Sequence, residues 1–348
     1  MQDLVNSTHR ELHYFRSFKK IRKFKLIMYY ARPKEFVKDV NLWIYFATKL
    51  ANVKDFELEC ESGYEFPQFA YKNTSLRNLD LRSCTINPLV NVNWSGIVSL
   101  SFSDMYLTDG VMKKILFGCP NLECLKFYSC YGFHRLGISN VKSRKLVIER
   151  LCYDRECDGW LEIIAPYIQD LKILGSCEGI CLRNVDLLVT VVLNFKFDFS
   201  FDSEDEEEDP LQRKRKESTC LKELFHSIAH VEKLELGPLC IQSSSDLETL
   251  VIDGPSYYVT QTRMNRSRGL RHIILVAHFH HLKTIKILDF SGSMLPFVKY
   301  LLKHASVLEK FVIVSRSKRS DESLDVKMVR ELLRFPRSSP QASVNLFL

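Results

Sequence analysis

Three groups of histidine and cysteine side chains in this sequence have the chemistry to bind a metal. They are His278-Phe-His280-His281, the pair Cys177 and Cys181, and the pair Cys152 and Cys157. Structural zinc sites combine paired units such as C-x₂₋₄-C and H-x₃₋₅-H around one ion. Only the spacing from Cys177 to Cys181 fits half of such a site. We therefore expect structural roles for these residues and predict no metal site.

Motifs that mark common catalytic sites are absent from the sequence. It contains no G-x-S-x-G, no G-x-x-x-x-G-K-[ST], no G-x-G-x-x-G and no H-E-x-x-H. These patterns position a nucleophile, cradle a phosphate or dinucleotide, or hold a catalytic zinc. The sequence therefore predicts neither an enzyme nor a bound cofactor.

The composition is that of a globular protein. Of 348 residues, 46% are hydrophobic and 26% are charged, and the net charge is +7. No apolar run reaches the roughly 18 residues that a membrane helix needs, and the first residues show no apolar signal-peptide core. The odd count of 11 cysteines is typical of reduced thiols. We expect a cytoplasmic or nuclear location and no membrane partner.

Charge is concentrated in one segment. Residues 198–209 contain eight acidic side chains, and Arg213-Lys-Arg-Lys216 follows at once, a weak nuclear import signal. Without those eight acids the net charge would be +15, which raises nucleic-acid binding as an alternative, with Arg263, Arg266, Arg268 and Arg271 as candidates. That alternative is disfavoured because no aromatic side chains are interleaved with the basic ones.

A repeat runs through the chain. Leu76–Cys84 and Leu122–Cys130 both follow L-x-x-L-x-L-x-x-C. From Val53 to Val189 the repeat starts lie 21 to 25 residues apart, within the range of leucine-rich repeats. Looser copies begin at Ile21, Val53, Ile97, Ile168, Val231, Leu247, Leu282 and Leu308, with weaker ones around Leu146 and Val189.

The repeats predict an α/β leucine-rich-repeat solenoid, a curved parallel sheet with helical or irregular returns and atypical ends. Helices are predicted over Glu35–Leu50, Thr108–Gly118 and Leu295–His304. The predicted regions are an N-terminal linker and capping region (1–52), regular repeats (53–196), a disordered acidic and basic insert (197–218), irregular repeats (219–281) and a C-terminal segment (282–348).

Strand alternation selects the candidate binding residues. Leu79 and Leu81 should face the core, while the residues between them face solvent on the concave side, where solenoids dock partners. The candidates are Asp55, Glu57, Glu59, Asn78, Asp80, Arg82, Ser101, Lys126, Tyr128, Asp170 and Lys172, with Ser99, Ser103 and Cys124 in the same rows. Because the first rows are mostly acidic, we expect a partner with basic groups opposite Asp55 to Asp80.

Several blocks resemble plant F-box proteins of the leucine-rich-repeat type. They are Val40–Ala47, Ala51–Leu58, Tyr64–Phe69, Lys114–Leu125, Leu161–Leu171 and, resembling the family's C-terminal FBD segment, Leu282–Ile287, Tyr300–Lys310 and Phe335–Pro340. The family's F-box is not visible here, and Met1–Phe15 resembles the linker that follows one.

The resemblance implies the substrate-recognition part of an SCF ubiquitin ligase, with a protein substrate as partner. The Skp adaptor and the cullin would be partners only if the full product has an F-box. A free-standing interaction scaffold is the alternative.

Overall fold

The computed structural model describes most of the chain in two compact units. The first unit comprises residues 1–157 and 161–168, and the second comprises 158–160 and 169–348. The described residues are 21–28, 33–60, 63–140, 142–150, 160–177, 179–197, 219–220, 223–237, 282–288, 295–314 and 326–347.

The first unit is built on parallel strands that lie side by side almost in chain order, β1-β2-β3-β4-β5-β7, while β6 pairs separately with β8. Each strand is in register with the next. Its elements are β1 (Lys23–Met28), α1 (Pro33–Tyr45), β2 (Asp55–Cys60), β3 (Asn78–Arg82), β4 (Ser99–Ser103), α2 (Asp109–Phe117), β5 (Cys124–Tyr128), β6 (Arg135–Gly137), β7 (Lys145–Glu149) and β8 (Trp160–Ile164).

One face of each main strand forms the core. Burial alternates along β2 and β3, and Leu79 and Leu81 are buried while Asn78 and Asp80 are not. Leu125 and Phe127 occupy the same positions on β5. Full burial of such a side chain is worth about 1.5–3 kcal/mol. The predicted inward and outward alternation is confirmed.

The three predicted helices lie within about two residues of their predicted bounds, whereas the helix Val326–Leu333 was not predicted. Thr108 caps α2, its hydroxyl accepting a hydrogen bond from Val111 N–H at 3.3 Å, and Gly118 ends the helix. Both features satisfy backbone groups that a helix terminus leaves open. The predicted helix from Glu35 is α1, which continues as one π-helical turn over Phe46–Leu50.

Successive strands of the first unit end in the same left-handed turn. Ser83, Asp104 and Ser129 follow β3, β4 and β5 with φ near +50°, a conformation costly for residues other than glycine. A buried residue comes next each time, and Cys84 and Cys130 hold this position after β3 and β5. The small buried cysteines that the repeat pattern predicted at these turns are therefore confirmed.

The second unit repeats the parallel arrangement in the order β9-β11-β12-β13-β14-β15. The loose repeat copy at Leu247 lies outside the described residues, and β12 pairs directly with β13. The elements are β9 (Asp170–Cys177), β10 (Gly179–Arg183), β11 (Thr190–Phe197), β12 (Lys233–Leu236), β13 (Thr284–Leu288), α3 (Leu295–His304), β14 (Lys310–Val314), α4 (Val326–Leu333) and β15 (Ser343–Phe347).

These parallel strands and few helices confirm the α/β leucine-rich-repeat solenoid. Strands β6, β8, β10 and β15 were not predicted, and the pairing of β6 with β8 shows that part of the return side is itself a small sheet. Within the described ranges, no helix is both long and apolar enough to cross a membrane. The acidic and basic run 198–216, the arginines at 263–271 and the histidines at 278–281 lie outside those ranges.

Candidate protein-binding face

The outward residues of the first unit's main sheet form a solvent-facing surface, which we call the open face. Strand register aligns its residues in three rows across β1, β2, β3, β4, β5 and β7. The rows are Lys23-Asp55-Asn78-Ser99-Cys124-Lys145, then Lys25-Glu57-Asp80-Ser101-Lys126-Val147, then Ile27-Glu59-Arg82-Ser103-Tyr128-Glu149.

The structure brings most of the predicted binding residues together on this face. Asp170 and Lys172 instead lie on β9 of the second unit, in register with Thr190 and Val192. The members on the open face are Asp55, Glu57, Glu59, Asn78, Asp80, Arg82, Ser101, Lys126 and Tyr128.

Glu57 is held by two lysines of β1. Lys25 Nζ lies 2.6 Å from Glu57 Oε1, and Lys23 Nζ lies 3.2 Å from Oε2. The Glu57 side chain is only 14% exposed. The hydrogen bond from Lys25, followed by that from Lys23, lowers the pKa of Glu57 against the opposing effect of burial. The same contact raises the pKa of Lys25. Glu57 is therefore a carboxylate whose charge is already neutralised.

The other acids of these rows have internal partners as well. Arg22 Nε lies 3.4 Å from Asp55 Oδ2, and Asn78 donates a hydrogen bond to the other Asp55 oxygen. Arg82 Nη2 lies 3.3 Å from Asp80 Oδ2, and this contact raises the pKa of Arg82. The acidic rows thus carry far less free negative charge than their sequence indicates.

From β4 onward, the open face carries small hydroxyl side chains and charged side chains without an ionic partner among the described residues. Ser101 and Ser103 are 8% and 4% exposed. Lys126 on β5 and Lys145 on β7 form no ion pair with any described residue, and neither does Glu149 at the end of β7. Burial, then the nearby charge of Glu149, raises the pKa of Tyr128. This half of the face offers unpaired charge beside a line of small hydroxyls.

Two exposed tyrosines lie beyond the strand ends. Tyr106 and Tyr131 are 49% and 39% exposed, with ring centroids 5.4 Å apart. Gly132 has φ +91°, and a Cβ there would lie 2.3 Å from the Tyr106 ring. Only glycine allows this approach. The fold therefore holds an exposed aromatic pair beyond the ends of β4 and β5, and tyrosine is enriched among residues that dominate protein interfaces.

Comparison with known proteins places this fold in a family. Residues 15–194, more than half of the chain, match the model of the At1g61320/AtMIF1 LRR domain. The chain belongs to this LRR family.

Relatives of this LRR-family chain come from Arabidopsis thaliana. Putative F-box/LRR-repeat protein At5g02930 is 34% identical over 45% of the chain and 34% of its own length. F-box/LRR-repeat protein 25 is 35% identical over 32% of the chain and 44% of its own length. Putative F-box/LRR-repeat protein At3g28410 is 29% identical over 73% of the chain and 53% of its own length. The chain thus spans about a third to a half of these relatives, and no catalytic family is indicated.

The described cysteines of this LRR chain are reduced and mostly buried. Burial raises the pKa of Cys60 and of Cys119 to about 12, and it raises the pKa of Cys84 as well. Thiols with such pKa values are poor nucleophiles at neutral pH. No group of three or more potential metal ligands occurs in the part of the chain that the structure describes.

Sequence reasoning missed the cations that complete the LRR open face. It predicted a loose repeat copy at Ile21 within the linker and capping region 1–52, but it did not name Lys23 and Lys25 among the face residues, although both lie on β1 in full register with β2. The signal was the alternation of Lys23, Lys25 and Ile27 with Phe24 and Leu26. Lys145 and Glu149 were missed because their repeat copy is weak.

Proposed function

We propose that this chain is a protein-binding leucine-rich-repeat module that holds a substrate protein for an SCF-type ubiquitin ligase. The observation that carries the proposal is the open face, where register lines up polar side chains of six successive strands above a buried core. Extended strand faces of repeat proteins are surfaces for protein partners. The printed names of the relatives support the connection to F-box proteins.

The area of the open face indicates how much of a protein interface it can supply. Strands spaced about 4.8 Å apart place β7 about 24 Å from β1, and five-residue strands are about 16 Å long. The planar area is then about 400 Å², half of the roughly 800 Å² that each partner buries in a standard interface. A stable complex therefore needs contacts outside the open face as well, and we propose as part of them Tyr106 and Tyr131, which are exposed beyond the ends of β4 and β5.

A face-blocking variant tests the binding surface. Ser101→Tyr places a large side chain in the middle of the open face, whereas Lys113→Tyr places the same residue on the exposed side of α2. Tagged proteins would be incubated with plant extract, and co-purified proteins quantified by mass spectrometry. We expect one substrate to be captured by the wild type and Lys113→Tyr but lost from Ser101→Tyr. Equal capture by all three would contradict the proposal.

The ligase connection has its own test. Immunoprecipitation of the endogenous protein would report both its mass and its partners. A product heavier than this chain's 40.6 kDa that brings down the Skp adaptor and the cullin would support the ligase role. A 40.6 kDa product free of both would contradict it and favour a free-standing scaffold.

Two further parts of the proposal rest on the sequence resemblance and on the cysteines. We propose that residues 282–348 form an FBD-like segment. We also propose a cytoplasmic or nuclear location, which the reduced and buried thiols Cys60, Cys84 and Cys119 support. Fractionation of plant cells, with the protein detected by antibody, would test the location.

A further inference from the structure

The line of serines on β4 forms a shallow trough in the open face. Ser99, Ser101 and Ser103 lie between the longer side chains of β3 and β5. Ser101 and Ser103 are 8% and 4% exposed, and their hydroxyls form no hydrogen bond with any residue that the structure describes. Neither hydroxyl oxygen is among the fully buried polar atoms that lack a partner, so both keep access to solvent. Two such hydroxyls along one strand can donate to and accept from the polar groups of a ligand.

The free charge beside this trough is mainly basic. Lys126 is in register with Ser101, and Lys145 lies one strand further along, next to Cys124. Neither ammonium has an ionic partner among the described residues, whereas Glu57 and Asp80 on the other side are paired. Covering an unpaired ammonium is costly unless the ligand supplies an opposite charge. Glu149, an acid of this half with no ionic partner among the described residues, lies at the opposite end of β7 from Lys145.

We infer that the trough binds an extended acidic segment of the substrate protein, with its carboxylates against Lys126 and Lys145. This inference rests on the proposed function, since it names the chemistry of the partner that the open face holds. Glu149 gives the segment a polarity, because a carboxylate placed at that end would meet a like charge. The serine hydroxyls donate to and accept from the polar groups of the segment between its acidic residues.

Designed peptides test the chemistry directly. The full chain would be titrated into three fluorescent peptides that carry glutamate, glutamine or lysine at alternate positions between glycines. Fluorescence anisotropy would be read at about 50 mM and about 300 mM salt, because exposed charge interactions weaken with ionic strength. We expect the glutamate peptide to bind most tightly and to weaken in salt.

Lysine variants locate the site. We expect Lys126→Gln and Lys145→Gln each to weaken glutamate-peptide binding about 5-fold, as the loss of one partly exposed ion pair would. The matched control Lys113→Gln, on α2, should leave affinity unchanged. Glu149→Gln should tighten it slightly. Equal effects of all three lysine variants would overturn the inference, because binding would then reflect net charge alone.

The remaining outcomes separate this inference from the proposed function. In one outcome, the glutamate and glutamine peptides bind the wild type with equal affinity, and Ser101→Tyr binds neither. That result would overturn the acidic preference and leave the open face as a binding surface. Binding of none of the peptides would also overturn it, and the capture experiment with Ser101→Tyr and Lys113→Tyr would then decide the proposed function independently. Circular dichroism of every variant confirms that it is folded.

Discussion

The open face has two halves that share one core but differ in how their charges are used. On β1 to β3 the carboxylates of Asp55, Glu57 and Asp80 contact cations of the same chain. On β4 to β7, Lys126 is in register with Ser101 and Lys145 lies one strand further along, and neither lysine has an ionic partner among the described residues. The paired half contributes to folding, while the unpaired half keeps its charge for a ligand. A patch of acidic sequence is therefore a poor guide to where a partner binds.

The largest expected effect tests whether the two halves really share a core. Leu81 on β3 and Leu125 on β5 are both fully buried on the core side of the sheet, one in each half of the open face. Leu81→Ala and Leu125→Ala should each lower the free energy of unfolding by about 3 kcal/mol, through lost burial and the cavity left behind. Urea denaturation followed by circular dichroism measures both. A loss below about 1 kcal/mol for one of them would mean that the cores differ.

The next effect concerns the ion pairs of the paired half. Glu57→Gln should lower stability at neutral pH by about 0.5–1 kcal/mol, because the lysines are largely exposed and screened. The lowered pKa of Glu57 means that the carboxylate stabilises the fold above its unfolded pKa, near 4.5, and that this contribution is lost as the pH falls through the lower folded value.

Denaturation of the wild type and Glu57→Gln across pH 7 to about 3 would check this sign. The stability difference should be full at neutral pH and should close below pH 4.5. Glu149→Gln, in the unpaired half, is the matched control and should change stability by less than about 0.5 kcal/mol. A larger loss of stability for Glu149→Gln than for Glu57→Gln would contradict the distinction between a paired and an unpaired half.

A smaller effect is expected at the turns that end the strands. Ser83 follows β3 and Ser129 follows β5, both with φ near +50°. Glycine removes the steric cost of this conformation. Its greater freedom in the unfolded chain offsets part of the resulting gain in stability. Ser83→Gly and Ser129→Gly should each raise stability by about 0.5 kcal/mol, measured as a higher denaturation midpoint. Ser129→Val should lower the midpoint. An unchanged midpoint for this variant would contradict the argument that the turn is strained.

The smallest expected change in stability tests whether the serines of β4 are structural residues. Ser103→Ala removes a hydroxyl that keeps access to solvent and has no hydrogen-bond partner among the described residues. Stability should change by less than about 0.5 kcal/mol. Ser143→Ala is the comparison, because the Ser143 hydroxyl donates to Leu122 O at 2.9 Å, and it should cost about 1 kcal/mol. Equal losses in calorimetry would show that Ser103 is a structural residue rather than part of a ligand trough.

Sequence periodicity predicted the strands well because each repeat must bury the same apolar positions. Leu79, Leu81, Leu125 and Phe127 all face the core as their spacing indicates. Helix α2 was predicted from its terminal residues, since Thr108 and Gly118 are local signals. These features depend on neighbours in the chain, which a single sequence displays.

The pairing of charges could not be predicted in the same way. Whether Glu57 is free depends on which strand lies beside β2, and Lys25 is 32 residues away. The repeat signal at β1 is weak, so its lysines were read as part of a capping region. Strand β15 was missed for a similar reason, because the alternation of Val344 and Leu346 is too short to identify without its neighbour β14.

The turns that follow the strands are coupled to one another along the first unit. Ser83 N–H donates to Ser103 O at 3.0 Å, Asp104 N–H to Tyr128 O at 2.8 Å, and Ser129 N–H to Glu149 O at 2.8 Å. Such nearest-neighbour coupling makes the unit behave as a one-dimensional chain, in which opening a terminal repeat breaks one interface and opening a central repeat breaks two. Amide protons of β4 should therefore exchange with solvent more slowly than those of β1, so the trough lies on the part of this unit that opens least.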